Sequence, residues 1–160
     1  MFYSFHIMGK EQLSKIYYKL FIEYGPQGWW PTTRNVDYPE YIGGPINDDE
    51  CFEVMIGAIL TQNTSWTNVE KALTQLKEQN LLTKKKIKEI SHEQLAQIIK
   101  SSGYHNQKAR KLKEFVTNFK EPKREHLLSL WGIGPETADS ILLYAYDKPS
   151  FVIDTYTKRL

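Results

Sequence analysis

A glycine-bracketed turn between two apolar helical segments constrains this chain more than any other feature of its sequence. The first segment ends at Leu130, the turn is Gly132-Ile133-Gly134, and Pro135 opens the second segment. Proline suits the first position of a helix because the N–H that it lacks would have no partner there. The pattern predicts a tight helical hairpin with backbone amides exposed at a helix N-terminus, a geometry that binds anions. A carboxylate, Asp154, follows a short apolar run further along the chain.

The composition is typical of one globular domain, with room for a small additional lobe. Of the 160 residues, 41% are hydrophobic and 13% are aromatic, which is enough to bury a core. No apolar run has the length of a membrane span, and residues 1–10 do not resemble a secretion signal, so we expect a cytoplasmic protein. A single cysteine, Cys51, excludes an intrachain disulfide or a cysteine-ligated cluster within this sequence. The four histidines (His6, His92, His105 and His126) are scattered, so we predict no metal site.

Charge is distributed unevenly along the chain. Residues 1–80 hold six Lys or Arg and ten Asp or Glu, a net −4, whereas residues 81–160 hold fifteen and nine, a net +6. The basic half contains the predicted hairpin, which permits a nucleic-acid partner. A solvated lysine-rich surface is the alternative interpretation.

Helical periodicity recurs on both sides of the long connection 32–50, and no strand pattern is convincing, which predicts an all-α fold. Residues 11–24 fit an amphipathic helix, and the next helix, capped by Asp48 or Asp49, is apolar on nearly every side and should be central. Further helices follow a cap at Thr64 or Ser65, a capping box at Ser91 to Gln94, and the start at Asn106. The aperiodic connection 32–50 is long, which is often a sign of function.

Four segments together carry a resemblance to a known family. They read IGAILTQNTSWTNVEKAL, SSGYHNQKARKL, LWGIGPETADSILLYA and FVIDTYTKRL, within about residues 51–160. In this order and spacing they resemble the helix-hairpin-helix (HhH-GPD) base-excision DNA glycosylases of the endonuclease III superfamily. Gly-Trp-Trp-Pro, Gln-Asn-Thr and Gly-Tyr-His-Asn-Gln-Lys-Ala look most like the 3-methyladenine DNA glycosylase III branch.

The resemblance implies a fold and a domain division. We expect the helix-hairpin-helix glycosylase fold, with residues 1–50 forming an N-terminal helix and aromatic loop of an incomplete second lobe. Residues 51–160 would form the helical domain with the hairpin at 132–134. The family chain normally continues beyond the segment that matches FVIDTYTKRL, so we expect a truncated chain, a proteolysed product or a naturally short form. The N-terminal helix should then expose part of its apolar face, which favours dimerisation.

The family's catalytic residues map onto two positions of this chain. Asp154 matches the catalytic aspartate, whose carboxylate stabilises the oxocarbenium-like sugar and orients the attacking water. Its alternative role is the N-cap of a helix over 155–160. Glu136 occupies the position of the lysine that gives some members lyase activity, and a glutamate cannot form a Schiff base. The resemblance therefore implies a monofunctional glycosylase.

The remaining site residues are also assigned by resemblance. The base pocket would use Trp29, Trp30, Pro31 and Trp66. The family leads us to expect phenylalanine in place of Trp66, and the alternative is that the three tryptophans are core residues. DNA contacts would come from the hairpin, its neighbours and three further side chains, namely Gly132, Ile133, Gly134, Glu136, Thr137, Asn63, Gln62 and Lys108. Gln62 or Asn63 could instead cap the preceding helix, and a lone lysine is more often simply solvated.

The predicted function is hydrolysis of the N-glycosidic bond of a damaged, 3-methyladenine-like base flipped out of double-stranded DNA. The alternatives are a non-catalytic helix-hairpin-helix DNA-binding module and a glycosylase for an oxidised or mismatched base. We expect a nucleoid-associated protein with no cofactor in this chain, apart from a monovalent cation at the hairpin. This sequence cannot hold an iron-sulfur cluster, and only a longer chain that contained it could.

Overall fold

The computed structural model describes residues 9–34 and 38–159. The stretch 1–8, with His6 and most of the segment considered as a secretion signal, lies outside the described residues, as does Leu160. The described part is helical, and its only β feature is an isolated bridge between Thr32 and Glu40. The helices are α1 (Lys10–Tyr24), α2 (Asp48–Leu60), α3 (Trp66–Glu78), α4 (Lys84–Glu89), α5 (His92–Ile98), α6 (His105–Asn118), α7 (Arg124–Ser129) and α8 (Pro135–Ser140). The prediction of an all-α fold is confirmed.

Helix α2 lies at the centre of the core, as its all-round apolar character predicts. Its residues from Glu53 to Leu60 are all buried. The expected caps were Asp48 or Asp49, but the N-cap is Asn47, whose side chain accepts a hydrogen bond from the Glu50 amide. The two aspartates occupy the first turn instead, where their negative charge interacts favourably with the helix dipole. The expected boundary between the N-terminal segment 1–50 and the helical domain 51–160 falls inside this first turn of α2.

The other helices surround α2 with their apolar faces. Helices α3, α6 and α8 contact it, and α5 packs on α6. Helix α3 begins after Ser65 and turns Val69, Leu73 and Leu76 inward. The predicted capping box at Ser91 is present, since its hydroxyl accepts from the Gln94 amide and the Gln94 side chain accepts from the Ser91 amide. Each helix thus buries a stripe that it could not bury alone.

Two buried glutamates on α2 anchor the aromatic loop. The Glu53 carboxylate accepts hydrogen bonds from the Thr33 amide (2.9 Å) and hydroxyl (2.6 Å). Burial nonetheless raises the Glu53 pKa above its usual value. Burial would also raise the Glu50 pKa, but the Arg34 guanidinium, 3.0 Å away, and the Ile46 amide lower it overall. The loop that carries Trp29 and Trp30 is therefore attached to the central helix by hydrogen bonds to ionisable groups.

Helix α1 has no buried residue. Every one of its large apolar side chains is at least 45% exposed, which confirms the expected exposure of its apolar face. The dimer that this exposure favours stays a prediction. Within the described ranges, no helix has the length and hydropathy needed to cross a membrane.

The α7–α8 pair is held together by a buried carboxylate that the sequence analysis did not single out. Asp139 accepts hydrogen bonds from Arg124 Nε (2.8 Å), Arg124 Nη2 (3.1 Å) and the Ser150 hydroxyl (2.9 Å). Arg124 contributes most to the lowering of the Asp139 pKa. After Ser140 the helix continues as one π-helical stretch, Ile141–Ala145, which packs on α2.

We expect Asp139→Asn to lower the free energy of unfolding at pH 7 by about 1.5–3 kcal/mol, the typical value of a hydrogen bond to a charged group. Because the folded-state pKa of Asp139 is lowered, its contribution is present above the usual aspartate pKa and is lost as pH falls. The difference from the wild type, measured by urea unfolding, should shrink below about pH 4. Glu125→Gln, on the exposed side of α7, is the control; an equal effect of both changes would contradict this role.

Candidate functional site

An open cleft of about 1070 Å³ lies between four parts of the chain. Its walls come from the aromatic loop, the turn after α2, the hairpin with the start of α8, and the segment 152–159. Most of the sequence-predicted residues meet there, although they come from distant positions in the chain. The predicted residues that line the cleft are Trp29, Trp30, Gln62, Asn63, Gly132, Gly134, Glu136, Thr137 and Asp154.

Asp154 presents a carboxylate that is held in place and kept ionised. Its Oδ1 accepts hydrogen bonds from the Thr157 amide (2.6 Å) and the Thr157 hydroxyl (2.7 Å). The amide, followed by the hydroxyl, lowers the Asp154 pKa. Both bonds go to Oδ1, so Oδ2 makes no hydrogen bond within the described residues. In place of the predicted helix over 155–160, a 3₁₀ turn, Thr157–Arg159, follows Asp154 in the described residues. The two hydrogen bonds that Asp154 makes to the start of this turn leave Oδ2 for a reactive role.

Of the three hairpin amides predicted to bind an anion, two have no hydrogen-bond acceptor among the described residues. Gly132 has φ +82°, a backbone region that glycine enters without strain, and an added Cβ would lie 2.7 Å from Lys111 Cγ. Within the described residues, no acceptor meets the amides of Gly132 and Gly134. The predicted phosphate contact by the Ile133 amide is wrong, because this amide already donates to the Leu130 carbonyl (3.2 Å).

Gln62 connects the turn after α2 to the hairpin. Its Nε2 donates to the Gly132 carbonyl (3.0 Å) and to Thr137 Oγ1 (3.0 Å), and its Oε1 accepts a hydrogen bond from Lys111 Nζ. The DNA contact predicted for Gln62 stays a prediction. The Thr137 hydroxyl is buried and accepts the hydrogen bond from Gln62, and the predicted contribution of Thr137 at the start of α8 also stays a prediction. Its neighbour Glu136 is exposed in the first turn of α8 and faces the cleft.

Asn63 is exposed at the rim of the cleft in a left-handed conformation, with φ 53°. Asparagine is one of the few residues that adopt this conformation readily. The internal bonds of Gln62 fix the backbone beside it, so the Asn63 side chain projects from a supported turn. This geometry suits the predicted insertion into DNA, which stays a prediction.

The aromatic cluster forms one wall of the cleft, but only part of it as predicted. Trp29 is 37% exposed and Trp30 only 4%, and both line the cleft. Pro31 is buried and does not line it. Trp66 also lies outside the lining: its ring packs edge-on against Trp29 (4.9 Å) and Trp30 (5.2 Å), and its Nε1 donates to Glu70. Pro31 and Trp66 therefore support the wall from behind, as expected of core residues.

Sequence reasoning missed Tyr144, which lines the cleft beside the tryptophans. Its ring centroid lies 5.4 Å from Trp30 and 6.5 Å from Trp29. In the sequence it falls within an apolar helical run and looks like a core position. Tyr146, two positions later in the same run, does not line the cleft, so no sequence signal singled out Tyr144.

The predicted phosphate contact of Lys108 is wrong. The residue is only 2% exposed, and its Nζ donates to the carbonyls of Leu60 (2.7 Å) and Ser102 (2.5 Å). A cation is well placed there because the Leu60 carbonyl belongs to the last turn of α2. Burial first, and then the nearby Lys111, lower the Lys108 pKa to about 8.

A comparison with known protein families identifies the chain. The model of the HhH-GPD superfamily base excision DNA repair proteins matches residues 56–160, which include the turn after α2, the hairpin and Asp154. The chain belongs to the HhH-GPD superfamily. It is therefore a DNA glycosylase of the base excision repair class by family.

Two superfamily relatives match over long stretches. "Putative DNA repair glycosylase MJ1434" of Methanocaldococcus jannaschii is 42% identical over 167 residues, which covers 94% of this chain and 68% of the relative. Endonuclease III of Thermotoga maritima is 33% identical over 116 residues, covering 68% of this chain and 54% of the relative.

Solved structures of the superfamily share the fold. H. pylori 3-methyladenine DNA glycosylase (MagIII), bound to 1,N6-ethenoadenine, aligns with a TM-score of 0.70 at 32% identity, over 91% of this chain and 68% of that chain. A non-covalent endonuclease III–DNA complex aligns with a TM-score of 0.74 at 20% identity, over 96% of this chain and 67% of that one. At 20% identity the likeness shows the fold alone, and it confirms the predicted helix-hairpin-helix glycosylase architecture.

We expect the buried Lys108 to make stability increase with pH. Its pKa is lowered from 10.5 to about 8 in the folded protein, so between these values the unfolded chain holds a proton that the folded one has released. The free energy of unfolding should then rise with pH across this window. Urea unfolding of wild type and Lys108→Met between pH 7.5 and about 10 should give a flatter dependence for the variant. Lys100→Met, at an exposed site, should behave like the wild type; parallel curves for Lys108→Met would contradict the lowered pKa.

Proposed function

We propose that this protein is a monofunctional DNA glycosylase that flips out an alkylated, positively charged purine and hydrolyses its N-glycosidic bond. The observation that carries the proposal is the position of Asp154. Its ionised carboxylate faces the same cleft as the two tryptophans, with Oδ2 making no hydrogen bond within the described residues. A base stacked on the aromatic wall would bring its sugar toward this oxygen.

The preference for an alkylated purine follows from the aromatic wall of the cleft. Alkylation at a ring nitrogen makes a purine cationic, and the electron-rich faces of tryptophan attract cations. Trp29 offers an accessible indole, which packs edge-to-face with Trp66 and at a tilted angle with Trp30. The bound 1,N6-ethenoadenine of MagIII, 32% identical to this chain, supports a purine-sized pocket.

The reaction needs one carboxylate when the leaving base is already cationic. As the bond between the anomeric carbon and the base nitrogen breaks, its electron pair moves to the base and neutralises it. The positive charge that develops on the sugar is stabilised by Asp154. Water then adds its oxygen to the anomeric carbon, with Asp154 orienting it and accepting or relaying its proton.

Double-stranded DNA would be gripped beside the cleft. The amides of Gly132 and Gly134 suit a backbone phosphate, and Asn63 suits the gap left by the extruded base. Carbonyl oxygens are the ligands that a monovalent cation needs at the hairpin. The Gly132 carbonyl accepts one hydrogen bond from Gln62, which leaves one lone pair for such an ion.

We expect Asp154→Asn to lower base release from methylated duplex DNA by about 100-fold or more, because a neutral amide cannot stabilise the sugar cation. Asparagine retains an oxygen that can accept both Thr157 hydrogen bonds, so folding and DNA affinity should be preserved. Single-turnover release and duplex binding measure the two effects.

Asp147→Asn is the matched control, since Asp147 is exposed and lies outside the cleft. Normal release by Asp154→Asn would remove the proposed role. Wild-type protein that binds methylated duplex tightly but releases no base would favour a non-catalytic DNA-binding module. Release only from duplexes with an oxidised or mismatched base would favour the other alternative.

The absence of lyase activity rests on Glu136, which faces the cleft where a lysine could attack the sugar. We expect no borohydride-trapped protein–DNA adduct from the wild type, and a measurable adduct from Glu136→Lys, because an amine there can form a Schiff base. Lys158 also lines the cleft, so Lys158→Gln is the control variant. A wild-type adduct that Lys158→Gln abolishes would overturn the monofunctional assignment.

A further inference from the structure

We propose that Tyr144 determines which lesions this protein excises, by donating a hydrogen bond from its hydroxyl to the extruded base. The inference rests on the proposed glycosylase function. It predicts that the hydroxyl is needed for bases that leave as anions and is dispensable for bases that are already cationic.

The position of Tyr144 is the first support. Its half-buried ring lines the cleft and extends the wall formed by Trp29 and Trp30. Its hydroxyl makes no hydrogen bond to any described residue. The one buried side-chain polar atom without a partner in the described ranges is Trp30 Nε1, so the unpartnered Tyr144 hydroxyl is exposed to solvent.

The local backbone explains why this side chain faces the cleft. Tyr144 lies in the π-helical stretch Ile141–Ala145, in which Ile141, Leu142 and Ala145 are buried. A π-turn rotates the following side chains relative to an ordinary helix, and such turns are frequent at functional sites. The stretch therefore packs on α2 with one side and presents a polar aromatic to the cleft with the other.

The surroundings keep the hydroxyl protonated. Burial first, and then the Asp154 carboxylate, raise the Tyr144 pKa. At neutral pH the group is consequently a hydrogen-bond donor beside the aromatic wall. Asp154 acts on the sugar, and Tyr144 is placed to act on the base.

The chemistry of the leaving base separates two substrate classes. In both, the bond from the anomeric carbon to the base nitrogen breaks and its electron pair stays on the base. A cationic purine becomes neutral and needs no donor, whereas a neutral purine such as 1,N6-ethenoadenine acquires negative charge that a donor stabilises. Water supplies the hydroxyl of the sugar product, and its remaining proton ends in solvent in the first case and on the released base in the second.

The experiment compares wild type with Tyr144→Phe, which removes only the hydroxyl. Single-turnover release is measured from methylated duplex DNA and from a duplex with one 1,N6-ethenoadenine. We expect about tenfold or greater loss on 1,N6-ethenoadenine and less than about threefold loss on methylated purines, as fits one hydrogen bond to a charged acceptor. Tyr146→Phe is the matched control, because Tyr146 is also half-buried but lies outside the cleft, where its hydroxyl contacts Met55 Sδ.

The ratio of the two losses decides the outcome, since a packing role of Tyr144 would affect both substrates alike. Equal losses, or none, would overturn the inference while leaving the proposed function intact. Wild-type release of methylated purines without any release of 1,N6-ethenoadenine would overturn it as well. Wild-type protein that releases neither base would overturn the proposed function, and this inference with it.

Discussion

The functional cleft depends on one side chain, the amide of Gln62. It donates to the Gly132 carbonyl and to Thr137 Oγ1, and it accepts from Lys111 on α6. These bonds fix the turn after α2 to the hairpin, although the two are far apart in sequence. The proposed function, in which the hairpin holds a phosphate and the turn after α2 enters the duplex, would need such a rigid connection. Gln62 therefore has a structural role, and the neighbouring Asn63 is exposed at the surface.

Helix α2 positions the aromatic wall of the cleft as well as the turn that carries Gln62. Near its start, Glu50 and Glu53 anchor the loop of Trp29 and Trp30, and its last turn leads directly into Gln62. Ionisable groups beneath the protein surface are costly unless hydrogen-bonded, and here each of these glutamates has partners. The aromatic wall and the hairpin are consequently positioned by the two ends of one buried helix. This arrangement explains why so much charge is retained on a helix that is otherwise apolar.

Sequence reasoning was most successful where a residue acts through its backbone or its local environment. The hairpin glycines and the helix-starting proline are recognisable because special dihedral angles restrict residue choice. Lys108 and Trp66 were assigned wrongly for a common reason, namely that residue type alone does not show which way a side chain points. Lys108 turns inward to satisfy carbonyls at the end of α2, and Trp66 packs behind the wall that it was expected to form. Tyr144 was missed because a π-turn changes the direction that helical periodicity assigns to it.

The sequence by itself determined the all-α class, the central position of α2 and the hairpin at 132–134. These features depend on local propensity and on short spacings, which are written directly in residue order. Only the tertiary structure decided which side chains face the cleft, which amides remain available, and which polar groups are used up inside the protein. Those outcomes depend on contacts between Gln62, Lys111 and the hairpin, or between α2 and the aromatic loop. Such contacts join residues that are distant in sequence, and no local pattern encodes their geometry.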